Sequence, residues 1–414
     1  LQNSSDLKQF STGEAMAVVA LAICLIFAPL SRAIVSLGTG LFGLSLIIQI
    51  SEKNLRKDVW SNPVIATICA FIGLIALSTL LPRNKFDFSS LIIAIPLVVI
   101  PLATSKLDIR SDWIRNSVLL ALAVFAGFAL TSSINYLIDP ETVNQNLLQS
   151  KHVPLTTKMH HIYFGLYLAV LAWVGAYYWR NSSHRIIKIC FGLLTILLVI
   201  CLHILSSRTG LIAFYSSIAM FLFQIFIGKG SHKSKLIILM IVVLVPTISV
   251  LTVPSIQYKI RNTQEDLTAL LKGGEEVNYK SMAMRVEAWR ASWTAIQSNW
   301  LIGVGDHNFN SAMDKAYEDN QSALIAENRI TPHNQFLESW MRNGILAFLI
   351  LCSLFITPLF MRNFRSNSWF WPVWILFLTS FMVESVLQRQ MGIILFSIGY
   401  FFFIHTESKK VASS

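Results

Sequence analysis

The feature that most constrains this chain is a series of apolar runs long enough, or nearly so, to cross roughly 30 Å of bilayer hydrocarbon. They fall at about residues 15–30, 36–50, 62–81, 87–103, 117–133, 161–178, 186–204, 209–227, 236–256, 335–360, 370–386 and 391–405. In lipid, backbone polar groups must be satisfied inside the structure, so these runs predict helices. The expected fold is an all-α, polytopic integral membrane protein with about 12 transmembrane helices. Composition agrees, because only 13% of residues are charged, too few to cover a soluble multidomain surface. A cleaved signal peptide before the first run is disfavoured by the full series of spans behind it.

The formal charge of +11 invites a nucleic-acid reading. The basic residues, however, sit in short loops between apolar runs and form no groove-lining block with interleaved aromatics, so no nucleic-acid partner is expected. They read as topology. With a cytoplasmic N-terminus, 17 lysines and arginines fall in short cytoplasmic segments, against 7 on the opposite side. The 17 include Lys8, Lys53, Arg56, Lys57, Lys229, Arg362, Arg365, Lys409 and Lys410. Arg83, Lys85, Lys151 and Lys158 dissent on the outer face. The expected division is a membrane domain of about nine spans at 1–256, a periplasmic loop at 257–334, and about three spans with a cytoplasmic tail at 335–414. Both termini are then cytoplasmic. The long loop retains 9 of the 33 basic residues when Arg342 is counted with it, which suggests an anionic partner. All five cysteines lie in apolar runs without ligand-like spacing and read as small buried hydrophobes.

Within the loop, SMAMRVEAWRASWTAIQSNW (281–300) places Met282, Val286, Trp289, Trp293, Ile296 and Trp300 on one helical stripe. Arg285 and Arg290 flank it on opposite sides. This predicts an amphipathic, interfacial helix resting on membrane lipids, with guanidinium groups reaching phosphate; ordinary tryptophan anchoring with solvated arginines is the plainer alternative. GVGDHNF (303–309) reads as a glycine-punctuated turn, since it lacks phosphate-loop spacing and a preceding strand.

Two helix starts carry the chemistry. In TPHNQFLESW (331–340), Thr331 is the expected N-cap and Pro332 the first helical residue, which puts His333 and Asn334 in the first turn. The positive end of a helix favours anions and a neutral imidazole able to accept a proton. The alternative is a histidine that only braces the loop. Glu338 stands one turn on, placed either to orient an imidazole or sugar or to pair with Arg342 at i+4. In LSSRTGLIAFY (205–215), Ser206 or Ser207 is expected to cap a helix that carries Arg208 at its mouth. A guanidinium there suits bidentate phosphate binding, or is a snorkelling anchor. His160 and His161 begin another span on the same side and are weaker candidates.

The polytopic layout, SSRTG, Arg285 followed by Trp289 and GVGDHNF, and HNQFLESWMRNG (333–344) together resemble the O-antigen ligase and polysaccharide polymerase superfamily. That resemblance implies a GT-C-like inner-membrane glycosyltransferase acting on the periplasmic side. Its donor would be a glycan on undecaprenyl diphosphate and its acceptor a lipid A core, or another lipid-linked glycan in polymerase members. Arg208 and Arg285 match diphosphate-binding arginines, and His333 matches the histidine that activates the acceptor. Arg290, close by, competes with Arg285 for its role. Asn334, Arg290, Glu338 and His161 are the expected substrate contacts. Inverting transfer with no cofactor and no metal follows from this scheme.

A transporter or lipid flippase is the competing class. Its signature would be ionisable groups within spans, of which Glu384 is the best example. A structural scaffold is a third reading. Chain length near 400 without a large soluble C-terminal extension suits a ligase and argues against a protein O-glycosylating relative; ligase and polymerase share a donor and differ mainly in the acceptor.

Overall fold

The structure is a computed structural model and describes residues 10–52, 62–81, 88–148, 152–228, 232–272, 274–361, 364 and 367–405. Of the cations that set the expected orientation, Lys8, Lys53, Arg56, Lys57, Arg83, Lys85, Lys151, Lys229, Arg362, Arg365, Lys409 and Lys410 lie outside the described residues. Among the described residues the chain is helical and contains no strand.

The helices are α1 (Thr12–Phe27), α2 (Arg32–Ser51), α3 (Pro63–Thr79), α4 (Ser89–Ala94), α5 (Pro96–Thr104) and α6 (Asp112–Ile138). Next come α7 (Pro140–Leu148), α8 (His161–Asn181), α9 (Arg185–Leu205), α10 (Arg208–Ile227), α11 (His232–Thr252) and α12 (Pro254–Lys272). The last six are α13 (Ser281–Asn299), α14 (Phe309–Asp319), α15 (Gln335–Asn343), α16 (Ile345–Phe360), α17 (Phe370–Val383) and α18 (Gln390–His405).

Five of these, α2, α6, α8, α9 and α10, are long and apolar enough to cross a membrane. A sixth is reached if the bent pair at the end of α11 and α12 counts as one span; the chain turns there by 88°. Six shorter apolar helices of 10–17 residues accompany them, so twelve full-length spans are not seen among the described residues. A straight crossing needs about 20 residues, and several of the apolar runs are broken short of that. The run at 370–386 ends as helix at Val383, and Glu384 continues in extended backbone. The run at 335–360 divides at Gly344, whose φ of 80° puts it in the left-handed region. A side chain there would also collide with the Leu301 carbonyl, so only glycine fits.

The centre of the bundle is α8, with 89% of its apolar window buried. Across the bundle, Trp173 Nε1 of α8 donates to Ser217 Oγ of α10 at 2.7 Å. The close approach of α8 and α10 requires glycine on both, because a Cβ on Gly210 would stand 2.8 Å from the Gly165 carbonyl. That contact seats the SSRTG segment against the start of α8.

A second, smaller apolar core forms in the hydrophilic half of the chain between α13, α14 and α15. The expected interfacial stripe on α13 is not its buried face. Ala283, Ala288, Ala291, Ser292, Ala295 and Ile296 are buried, whereas Trp293 and Trp300 are exposed. Small residues let α13 approach its neighbours closely, and of the expected stripe only Ile296 shares that face. GVGDHNF is the expected turn and clamps the break before α16. Val304 N donates to Met341 O at 2.7 Å and Gly305 N to Arg342 O at 2.9 Å.

Candidate active site

His333 lies just outside α15, not in its first turn. Asn334 is the N-cap, and its Oδ1 accepts from Phe336 N at 3.0 Å and Leu337 N at 3.1 Å. The expected cap at Thr331 and helical start at Pro332 are displaced by this bond, since an asparagine side chain one residue before a helix satisfies two free amides at once. Asn334 thus serves the helix through Oδ1. His333 is held at φ 45°, a left-handed conformation that costs a non-glycine residue about 1 kcal/mol. The preceding residue is anchored from α13, where Trp289 Nε1 donates to Pro332 O at 2.7 Å. Ser206 has the same left-handed twist, φ 46°, two positions before α10.

The imidazole meets Glu384 at the end of α17. Nδ1 of His333 stands 3.0 and 3.1 Å from the two carboxylate oxygens. A carboxylate only accepts, so Nδ1 carries a proton, and in the neutral ring Nε2 is the acceptor nitrogen. Arg285 completes the group from α13. Its Nη2 lies 3.9 Å from Glu384 Oε2, and Nη1 donates to Val383 O. Burial by itself would raise the Glu384 carboxyl, but the hydrogen bond from His333 and the positive charge of Arg285 hold it below its ordinary value. Burial lowers the Arg285 guanidinium; Glu384 opposes that and the positive charge of Arg208 adds to it.

Arg285 also lines a cavity of about 680 Å³, counting its open mouth, with Arg208, Lys259, His152, His161 and Ser207. Arg208 Nη2 donates to Lys259 O at 3.1 Å, and its Nη1 pairs with the fully buried Asp266 at 3.5 Å. Asp266 Oδ2 also accepts from Met282 N at 2.9 Å, so one carboxylate ties the start of α13 to the start of α10. Arg208 Nε is buried with no hydrogen-bond partner among the described residues. The ring of His161 stacks on His152 at 3.9 Å between centroids. Partial burial lowers the pKa of His152, with His160 and Lys259 adding to the effect. Three cations on one cavity wall, against one buried aspartate and the shared Glu384, make a site for an anion with several oxygens.

The structure therefore brings His333, Arg208, Arg285 and His161 together. It sets Arg290 apart, on the exposed side of α13 and paired with Glu287 at 2.8 Å. The two arginines leave the helix on different faces, and of the two Arg285 lines the cavity. Arg285 turns inward to Glu384, so the expected reach of both guanidinium groups to lipid phosphate does not hold for it. Glu338 takes the ion-pair alternative. Its Oε1 accepts from Arg342 Nη2 at 2.7 Å and Nε at 3.0 Å, and its Oε2 accepts from Ser385 Oγ. With both oxygens engaged it braces the segment carrying Glu384. Arg342 is fixed in turn by Asp306 at 3.0 Å and by the ring of Phe309.

Sequence reasoning missed the roles of Glu384, Lys259, Asp266 and His152. Glu384 had a signal, an acidic group at the end of an apolar run, but it was assigned to the transporter reading.

Residues 193–352 match the family model described as O-antigen ligase, a stretch that contains Arg208, Arg285 and His333 but not Glu384. An uncharacterized protein of Haemophilus influenzae is 28% identical over 186 residues, 43% of this chain and 45% of that protein. The match thus spans less than half of the relative's length. The superfamily resemblance read from the motifs is supported over the matched segment.

Proposed function

From the O-antigen ligase likeness of residues 193–352, we propose that this chain transfers a glycan from undecaprenyl diphosphate to a lipid A core at the periplasmic face of the bacterial inner membrane. One observation carries this reading: Arg285 belongs at once to the cationic cavity and to the Glu384–His333 pair. In this reading a site for the departing diphosphate lies against a base for the incoming hydroxyl.

In this reading the donor diphosphate occupies the cavity beside Arg208, Arg285 and Lys259. His333 Nε2 takes the proton of the acceptor hydroxyl while its oxygen bonds to the anomeric carbon. The bond from that carbon to the diphosphate breaks, and the lipid diphosphate leaves with its charge stabilised by the arginines. Attack opposite the leaving group inverts the anomeric configuration. Energy arrives with the activated donor. The chain is then a GT-C-like, multi-pass glycosyltransferase in which the shorter apolar helices complete about 12 spans and residues 257–334 face the periplasm.

The test uses purified, reconstituted protein supplied with lipid-linked glycan and lipid A core separately and together. Growth of the core band only in the mixture is expected. Extension of lipid-linked glycan without core would replace ligase by polymerase, and no transfer under either condition would overturn the glycosyltransferase reading.

A further inference from the structure

A second cleft opens beside the segment that leads into α8. It is lined by Ala28, Pro29, Leu30 and Ser31 of the α1–α2 turn, by Arg32 and Lys158, and by Met159 and Met391. Its space is about 700 Å³, counting the open mouth. The donor cavity is walled by α8, α9, α10, α12 and α13, so the two openings share only the segment around residues 152–168.

The cleft has tied walls. Thr157 Oγ1 donates to Pro29 O and accepts from Met159 N at 3.1 Å, which fixes the approach to α8 on the α1–α2 turn. Gln390 Nε2 donates to Ser36 Oγ at 2.8 Å, which fixes the start of α18 on α2. Arg389, one residue earlier, is exposed beside it. Among the described residues, none of the side chains of Arg32, Lys158 and Arg389 makes an ion pair.

Both walls of the cleft lead to the catalytic group. Lys158 and Met159 run directly into His160 and His161, whose rings stand 4.4 Å apart and the second of which lines the donor cavity. The segment after Glu384 passes through Val386–Gln388 to Arg389 and Met391, and Gly392 packs against Val386 O and the ring of Tyr163. All three unpaired cations belong to the side that the orientation rule depletes of positive charge. Cations kept there beside methionine and leucine fit a ligand with phosphate at its head and hydrocarbon behind it.

We propose that the cleft at Arg32, Lys158 and Arg389 binds the phosphate groups of the acceptor glycolipid and presents its hydroxyl to His333 from the side opposite the donor cavity. The proposal rests on the transferase reading above. Transfer between two membrane-anchored substrates needs two lipid entrances, and the donor cavity supplies one.

The decisive measurement is direct binding of bis-phosphorylated lipid A to the full chain in nanodiscs, with dephosphorylated lipid A as the comparison. The triple variant Arg32→Gln, Lys158→Gln, Arg389→Gln should bind the phosphorylated lipid at least about tenfold more weakly, while binding of the dephosphorylated lipid is unchanged. The charge-preserving set Arg32→Lys with Arg389→Lys should retain most of the affinity, which controls for misfolding. Binding of undecaprenyl diphosphate should be the same in all forms. Equal loss for both lipid A forms, or no loss for either, overturns the proposal. So does a loss that disappears when the nanodisc lipid is changed from anionic to zwitterionic, because the cleft would then hold bulk lipid. If wild type binds lipid A through these residues yet transfers no glycan, the transferase reading fails and the binding cleft stands.

Discussion

Glu384 and His333 face each other at 3.0 Å although 51 positions separate them, and Arg285 reaches the same carboxylate from a third segment. The pair turns Nδ1 of the imidazole toward the carboxylate, which in the proposed reaction leaves Nε2 to accept the proton. In the proposed reaction Glu384 acts through His333 and Arg285.

Replacing His333 by alanine should leave membrane insertion and donor binding intact while turnover falls about 100-fold or more, the usual contribution of a general base. Single-turnover transfer with saturating donor and acceptor measures this. Near-normal turnover would reduce His333 to a structural loop residue.

Glu384→Gln keeps the volume and removes the charge. Turnover should fall by about 10-fold or more through misplacement of the imidazole, with the KM for the acceptor nearly unchanged. Stability carries a second signature. The Glu384 carboxyl is held below its ordinary value, so its ionised form stabilises the native state above that value and the benefit is lost as pH falls through the native pKa. Wild type should therefore unfold at a higher temperature than Glu384→Gln at neutral pH, with the gap narrowing in acid. A gap independent of pH would contradict the assigned ionisation.

Arg208→Lys retains charge but loses the planar fork between Lys259 O, Asp266 and the cavity. Roughly 2 kcal/mol or more of transition-state stabilisation should disappear, read as kcat/KM at limiting donor. Arg285→Ala should also be severe, whereas Arg290→Ala, on the exposed face, should be nearly silent. Equal effects at the two α13 positions would contradict their placement on different faces.

The helix start gives a stability contrast. Asn334→Ala removes a cap with two hydrogen bonds and should cost about 1 kcal/mol, whereas Thr331→Ala should cost little. Thermal unfolding of the two variants in the same detergent compares them directly.

Orientation is tested by labelling intact spheroplasts with a membrane-impermeant thiol reagent, in a form lacking the five native cysteines. A cysteine at Lys315 should be modified and one at Ser183 spared. The reverse pattern would invert the proposed topology.

Local signals were legible in the sequence because they depend on segments read one at a time. Apolar length and the scarcity of charge determined a helical membrane protein. SSRTG and HNQFLESWMRNG pointed to Arg208 and His333 as candidates, and the motifs carried the resemblance supported over residues 193–352. What each residue faces depends on packing between segments distant in sequence, and only the tertiary structure decided that. Hydrophobic periodicity chose the tryptophan stripe of α13, but close packing selected the alanine face and so sent Arg285 inward and Arg290 outward. The helix after His333 starts one residue past the cap that its own side chain provides, so Thr331 lost that role to Asn334. Glu384 looked like an isolated charge at the end of a span until the end of α17 met the segment before α15. A buried carboxylate must be neutralised by whatever cation the fold brings near, and His333 and Arg285 arrive from two other parts of the chain.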